Sequence, residues 1–240
     1  MTVHTQEALA SCLRDAQARR EERAILTIGR PLAAEINRQR LINLLELLLP
    51  QCQGSGQVIR RERDGSWYLN LRLYYRTGLR MADAWAAGDL SPLSETERQA
   101  LAAAGAIARE ICEAQKDEEA RARAIMARLH TLAVYENPPR GTLAHGRVVS
   151  ALSVLREGRA NCQGFSDAFY LLATLCGLKA EYRLGFKGRE MHLWNGVELS
   201  GAWQAVDATA GALGAEESLG LIRAMEANFL SSGLNAPAKS

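Results

Sequence analysis

The sequence predicts an α+β protein, and three observations predict it. Residues 5–23, 32–49 and 94–135 carry apolar side chains at helical spacing. Val58–Arg63 and Trp67–Tyr75 flank an Asp64-Gly65 pair, a favoured hairpin turn. After Gly177 come three extended segments separated by glycines: Ala180–Phe186, Met191–Glu198 and Ala202–Ala208.

Taken in order, residues 5–23 read as an amphipathic helix with a charged outer face, and Ala24–Ile28 as a short strand. Pro31 suits a helix start, and Pro50 stops the run through Leu41, Leu44, Leu45 and Leu48. Residues 51–56 read as a loop. In the second hairpin arm, Trp67, Leu69, Leu71, Leu73 and Tyr75 share one face, and Tyr68, Asn70, Arg72 and Tyr74 share the other. Gly88–Pro92 marks a boundary, giving an N-terminal α+β region over 1–90 and a second region over 91–240. Ser94 and Glu97 form a capping box ahead of an Ala-rich helix reaching Lys116. A second helix runs from Asp117 to Tyr135, and Asn137-Pro-Pro-Arg-Gly141 breaks it. Ala144–Leu155 reads as a short helix. Phe165, Phe169, Leu172 and Cys176 then recur on one helical face, which Gly177 ends.

A chain of 240 residues with 48% hydrophobic side chains can bury a sizeable core. A net charge of +2 gives no electrostatic case for nucleic acid or an anionic membrane. No C-x-x-C pair occurs among the five cysteines, so zinc-ribbon and thioredoxin chemistry lack their motif, and no metal or other cofactor is expected. The odd, scattered cysteines argue against a disulfide framework. Residues 1–23 hold no apolar leader, and no stretch could span a bilayer. The expectation is a soluble chain, with the cytoplasm slightly favoured and export left open.

Cys162 carries the chemistry. It falls at the first turn of a buried helix, where unpaired N–H groups and the positive end of the dipole favour thiolate over thiol. A lone cysteine is more often a small packing residue, and Cys12, Cys52, Cys112 and Cys176 take that reading. His4, His130 and His145 read as surface residues. His192 lies in an extended segment, and Asp207 follows 15 residues later at the end of the next. If the two segments pair, a loop of even length puts both residues on one face, opposite or one diagonal step apart. An odd loop without a bulge puts them on opposite faces. The loop drawn from the sequence, Leu199-Ser-Gly201, has three residues, so the pairing needs a bulge or a boundary moved by one.

Three blocks resemble the transglutaminase-like superfamily: Asn161-Cys-Gln-Gly-Phe-Ser-Asp-Ala-Phe169, Met191-His-Leu-Trp-Asn195 and Gly201-Ala-Trp-Gln-Ala-Val-Asp-Ala-Thr209. Their order and spacing are those of the family, and the likeness covers roughly 100–211. It implies a papain-like α+β core, in which a helix bearing the cysteine packs on an antiparallel sheet bearing the other two residues. It also implies a Cys162–His192–Asp207 triad. The family draws an oxyanion donor from upstream. Here the Cys162 N–H is one half of that hole, with Tyr135, Gln163 and Trp194 as further oxyanion or cleft candidates. The chain departs from the pattern at Ala160, where glycine is common, at Gln204, where an aromatic is common, and in the Ala208-Thr209-Ala210 run after Asp207.

The leading expectation is a bacterial-type cysteine hydrolase acting on a peptide or protein through a thioester. The alternatives are a protein-glutamine acyltransferase and a non-catalytic binding module on the same fold.

Overall fold

The computed structural model describes residues 1–223. They form two compact units, Met1–Tyr75 and Arg76–Ile222. Arg76–Gly88, placed by sequence in the 1–90 region, belongs to the second unit. The part of the 91–240 region beyond residue 223 lies outside the described residues.

In the first unit the elements are β1 (Thr2–Val3), α1 (Gln6–Ala18), β2 (Arg23–Ile28), α2 (Arg30–Glu35), α3 (Arg38–Leu48), β3 (Cys52–Arg61) and β4 (Trp67–Tyr75). The strands lie in the order β1-β2-β4-β3, with β1 parallel to β2 and the other pairs antiparallel. Strand β4 alternates as its sequence predicts: Trp67, Leu69, Leu71 and Leu73 are buried. On the other face Arg72 stacks on Tyr74, and Arg60 on Tyr68.

Two expectations change here. The helix read as 32–49 is two helices, because Ile36 is extended and the Asn37 side chain accepts from Arg40 N at 2.9 Å. An asparagine that can cap a new helix competes with continuation of the old one. Residues 51–56, expected as a loop, join β3, which pairs with β4 back to Cys52 through a register shift between Cys52 and Gly54.

The second unit opens with α4 (Thr77–Ala87), α5 (Glu95–Ala114) and α6 (Glu118–Leu132). The Ser94–Glu97 capping box forms with both halves present. Then follow β5 (Val134–Tyr135), α7 (Leu143–Gly146), a π turn (Ser153–Glu157), β6 (Arg159–Ala160) and α8 (Cys162–Leu175). Tyr135 is therefore not helical. Ala133 is already extended (φ −145°, ψ 148°), and β5 pairs in parallel with β6. The helix expected over 144–155 shrinks to α7 and the π turn.

Phe165, Phe169, Leu172 and Cys176 are buried, as their spacing predicts. Ala168, Leu171 and Ala173 are buried too. Helix α8 packs against α4, α5 and α6 and also against the sheet strands that follow it. A helix that is apolar on all sides belongs inside. Removing either phenylalanine ring would cost about 3–5 kcal/mol.

The sheet consists of β7 (Lys179–Lys187), β8 (Glu190–Leu199), β9 (Ala202–Asp207), β10 (Ala212–Gly214) and β11 (Leu221–Arg223), in the order β10-β9-β8-β7-β11. Strands β7 to β10 form an antiparallel meander. The β8–β9 turn is Ser200-Gly201, with φ of 51° and 83°. Two successive positive φ values make a tight hairpin turn that matches the strand twist. The loop therefore has two residues, with Leu199 opposite Ala202. Val197, Leu199, Val206 and Ala208 join the α8 core, while Trp194, Ala205 and Leu221 cluster separately. Alternation puts His192 and Asp207 on the Trp194 face.

Candidate active site

Asn161 is the N-cap of α8 and is 1% exposed. Its side-chain oxygen accepts from Gln163 N at 3.0 Å and Gly164 N at 3.3 Å, and its carbonyl accepts from Phe165 N at 3.0 Å. The Cys162 N–H is the one donor of this first turn left without a partner among the described residues. Gly164 is required: a Cβ there would lie 2.7 Å from Val148 O and 2.8 Å from the Ala160 Cβ.

The first turn of α8 is fastened to β8 beside His192. Ser166 Oγ donates to Leu193 O at 2.9 Å, and the Leu193 N–H lies near the Cys162 sulfur and favours its thiolate. In a strand these two groups of one residue point the same way, here to the side where β9 stops at Asp207.

His192 Nε2 lies 3.1 Å from Asp207 Oδ1, without the alignment of a linear hydrogen bond. The Cys162 thiol stands beside the His192 ring, close enough that each favours the other's charged form; with Nε2 turned to Asp207, Nδ1 is the nitrogen left to face the sulfur. Continuing the register from Asn195 opposite Val206 puts Trp194 across from Asp207 and His192 one diagonal step away. The two-residue turn thus supplies the even loop that the pairing needs.

Asp207 is fully buried. Lys187 Nζ lies 2.6 Å from its Oδ2, and Ala210 N donates to Oδ1 at 3.4 Å. Burial pushes the Asp207 carboxyl up, but His192 and then Lys187 pull it down to about 2. Burial pulls His192 down, but Asp207 and then Cys162 hold it up at about 9. Burial raises the Cys162 thiol, yet the adjoining His192 ring, the Leu193 N–H and the charges of His192 and Arg76 bring it below its ordinary value. The arrangement favours a thiolate–imidazolium pair.

A second buried network lies behind the cysteine. Asp167 Oδ2 accepts from Gly78 N at 3.0 Å and Ala151 N at 2.8 Å, and Oδ1 accepts from Tyr182 Oη at 2.7 Å. Arg76 is 3% exposed, stacks on the Tyr182 ring and donates to Gln163 Oε1 at 3.2 Å. A Cβ on Gly78 would meet Asp167 O at 2.3 Å. Sequence reasoning passed over both charged residues. The signal for Asp167 was an acid inside an apolar helical stretch; Arg76 left none, because its partner is 87 residues away.

A cleft of about 190 Å³ opens at Cys162 and His192. Tyr135, Pro138, Pro139 and Met191 form its apolar wall, and Asn137, Gln163, Arg140 and Glu190 its polar one. Burial, then the negative charges of Cys162, Glu190 and Asp207, push the Tyr135 phenol up, so it stays a donor. Gln163 reaches the cleft, with its backbone N–H already committed to Asn161. Trp194 does not line it: the ring is fully buried, stacks beside His192, and donates from Nε1 to Glu216 at 3.0 Å. Two histidines read as surface residues do more than that. His145 lines the cleft, with Nδ1 3.1 Å from Pro138 O. His130 Nε2 lies 2.8 Å from Ala208 O, just past Asp207, and its ring meets the Phe165 edge. No group of three His, Cys, Asp or Glu side chains is placed to hold a metal ion among the described residues.

Residues 105–208 match the family model described as the transglutaminase-like superfamily. No curated protein matches the chain. Among solved structures, a protein described as a TGase is similar at 14% identity and a TM-score of 0.41, covering 87% of this chain and 58% of its own. The periplasmic domain of TgpA from Pseudomonas aeruginosa is similar at 17% identity and a TM-score of 0.38, covering 66% of this chain and 62% of its own. The chain thus spans less than two thirds of either structure. The matched segment holds Cys162, His192 and Asp207, and residues 105–208 carry the chain's similarity to the transglutaminase-like superfamily.

Proposed function

We propose that the chain is a cysteine-dependent hydrolase that cleaves a peptide or other amide bond through a thioester acyl-enzyme. The observation that carries this reading is the linked row of Cys162 thiol, His192 ring and buried Asp207 carboxylate. In it, His192 takes the Cys162 proton, and Asp207 holds the ring with Nδ1 toward the sulfur and stabilises the imidazolium. The thiolate attacks the carbonyl carbon, a C–S bond forms, and an electron pair moves onto oxygen. The unpartnered Cys162 N–H and the Tyr135 hydroxyl are the donors that receive it. The imidazolium protonates the leaving amine as the C–N bond breaks. Water, deprotonated by His192, then attacks the thioester, releasing the acid and restoring the thiol. The cleft is open to solvent, since Tyr135 on its wall is 53% exposed, so water can reach the thioester.

The test is ammonia release from a glutamine peptide, with and without an added primary amine, beside cleavage of peptide substrates. Hydrolysis is expected to dominate, and incorporation of the amine would replace the hydrolase with an acyltransferase. Cys162→Ala should abolish turnover and leave the thermal melt in place. Equal activity in the two proteins would end the proposal.

A further inference from the structure

We propose that Lys187 is a positioning residue of the site: it holds the second oxygen of the buried Asp207 carboxylate and sets the charge balance that His192 feels. The inference rests on the triad reading above and adds to it a fourth residue that the three sequence blocks do not contain.

The placement is specific. Lys187 ends β7, His192 lies on β8 and Asp207 ends β9, so Lys187 reaches across the central strand. Lys187 reaches Asp207 diagonally, since Asp207 lies across from Trp194 and Trp194 from Arg183, four residues before Lys187, and the extended lysine stem closes the gap to 2.6 Å. Register gives both one face: Lys187 lies opposite Glu190, and Gly185 opposite His192. Gly185 has no side chain to stand beside the His192 ring, so the lysine arm has a clear path. The two carboxylate oxygens are divided between two cations, with His192 Nε2 at 3.1 Å from Oδ1 and Lys187 Nζ at 2.6 Å from Oδ2. A carboxylate gripped on both oxygens cannot rotate about its last bond, and that fixes the oxygen presented to the imidazole.

The charged and titratable groups around the Asp207–His192–Cys162 row are Lys187 from β7, Glu190 opposite it on β8, Tyr135 from β5, His130 from α6 and Arg76 beside Cys162. Lys187 is the lysine among them. Its positive charge opposes proton uptake by Asp207 and, through that carboxylate, by the His192–Cys162 pair. It therefore holds down the His192 basicity that Asp207 alone would raise further, and it favours the Cys162 thiolate. Taking the charge away should move both limbs of the Cys162–His192 titration to higher pH. An opposite charge in contact shifts a group by about 1–3 units; His192 and Cys162 feel Lys187 from farther away, across the Asp207 carboxylate, and the Lys187 side chain is 42% exposed. A displacement of about 0.5–1 unit is expected after solvent screening.

The measurement is the rate of Cys162 alkylation by iodoacetamide against pH, read peptide by peptide by mass spectrometry. The full chain is compared with Lys187→Met, which keeps the stem, and Lys187→Arg, which keeps the charge. Wild type should show reactive thiolate well below the free-thiol range. Lys187→Met should shift that profile upward by about 0.5–1 unit, slowing alkylation about three- to tenfold on the acid limb, and Lys187→Arg should restore it. Lys187→Gln replaces Lys187→Met if the latter does not fold. A wild-type rate that climbs only near pH 8.5 overturns the triad reading and this assignment with it. A low-pH thiolate whose profile Lys187→Met leaves unmoved overturns the role of Lys187 alone. So does a Lys187→Arg curve that follows Lys187→Met, since the arm would then matter only for packing.

Discussion

Asp167 and Asp207 are both fully buried, and both stand close to Cys162, yet they are held in opposite ways. Asp207 faces two cations, Lys187 and His192, and its carboxyl is drawn down to about 2. Asp167 faces two backbone N–H groups and the Tyr182 hydroxyl; there burial outweighs the nearby Arg76, and the carboxyl is pushed up. Burial opposes the charged form at both sites, and what differs is how far the surrounding charges offset it. At Asp207 two cations win over desolvation, and at Asp167 desolvation wins. On the cleft side of α8 this yields a poised ion pair. On the opposite side it yields a junction that ties α4, the loop before the π turn and β7 to one helix.

The largest expected effect separates the two by activity. Asp207→Asn removes the charge that supports the His192 imidazolium while keeping the shape. Turnover should fall about a thousandfold, equivalent to about 4 kcal/mol of barrier, with the fold intact by circular dichroism. A loss below tenfold would break the contrast. Asp167→Ala separates them by stability. It strips the partner from Gly78 N–H, Ala151 N–H and Tyr182 O–H, and buried donors left unsatisfied cost about 1–3 kcal/mol each. Denaturant unfolding should show a loss of about 3 kcal/mol or more.

Next comes pH. Asp207 binds its proton less readily in the folded chain than the ordinary carboxyl at 3.8, so its contribution is complete above 3.8 and is lost as pH falls toward 2. His192 binds its proton more tightly than the ordinary imidazole at 6.5, so its contribution is complete below 6.5 and is lost as pH rises through 9. The stability gap between wild type and Asp207→Asn should therefore be widest between about pH 4 and 6.5. It should narrow on both sides, by about 1–2 kcal/mol across each limb. A gap that does not vary with pH would mean that the pair contributes shape and no charge.

Legibility from sequence followed the range of the interactions. Local signals were read well. The Ser94 cap, the α8 face and the β4 alternation each depend on residues within four positions of one another, and each stands as its sequence implies. The Cys162 helix start and the shared face of His192 and Asp207 were readable because a motif and a strand period carry them. The β8–β9 loop needed its boundary moved by one residue: Leu199 ends β8 opposite Ala202, and Ser200-Gly201 alone make the turn through two positive φ values. Arg76, Asp167 and Lys187 were missed. Their partners lie 87, 89 and 20 residues away, and no spacing rule reaches across an element that has yet to be placed.

The smallest effect sharpens the contrast most. Asp167→Asn keeps an oxygen for Gly78 N–H and Ala151 N–H and turns an NH₂ toward the Tyr182 oxygen. Only the proton of Tyr182 then loses its acceptor, which costs about 1 kcal/mol. Asp167 touches neither Cys162 nor His192 in the way Asp207 does, so turnover should stay within about threefold, or about 0.7 kcal/mol. The same chemical change, one oxygen to one NH₂, would then disable one buried carboxylate and leave the other nearly indifferent. Melting curves and turnover measured side by side on Asp167→Asn and Asp207→Asn check it. If Asp167→Asn lost activity as Asp207→Asn does, the network behind α8 would be working through its negative charge, and the division between a poised face and a structural face of this helix would fall.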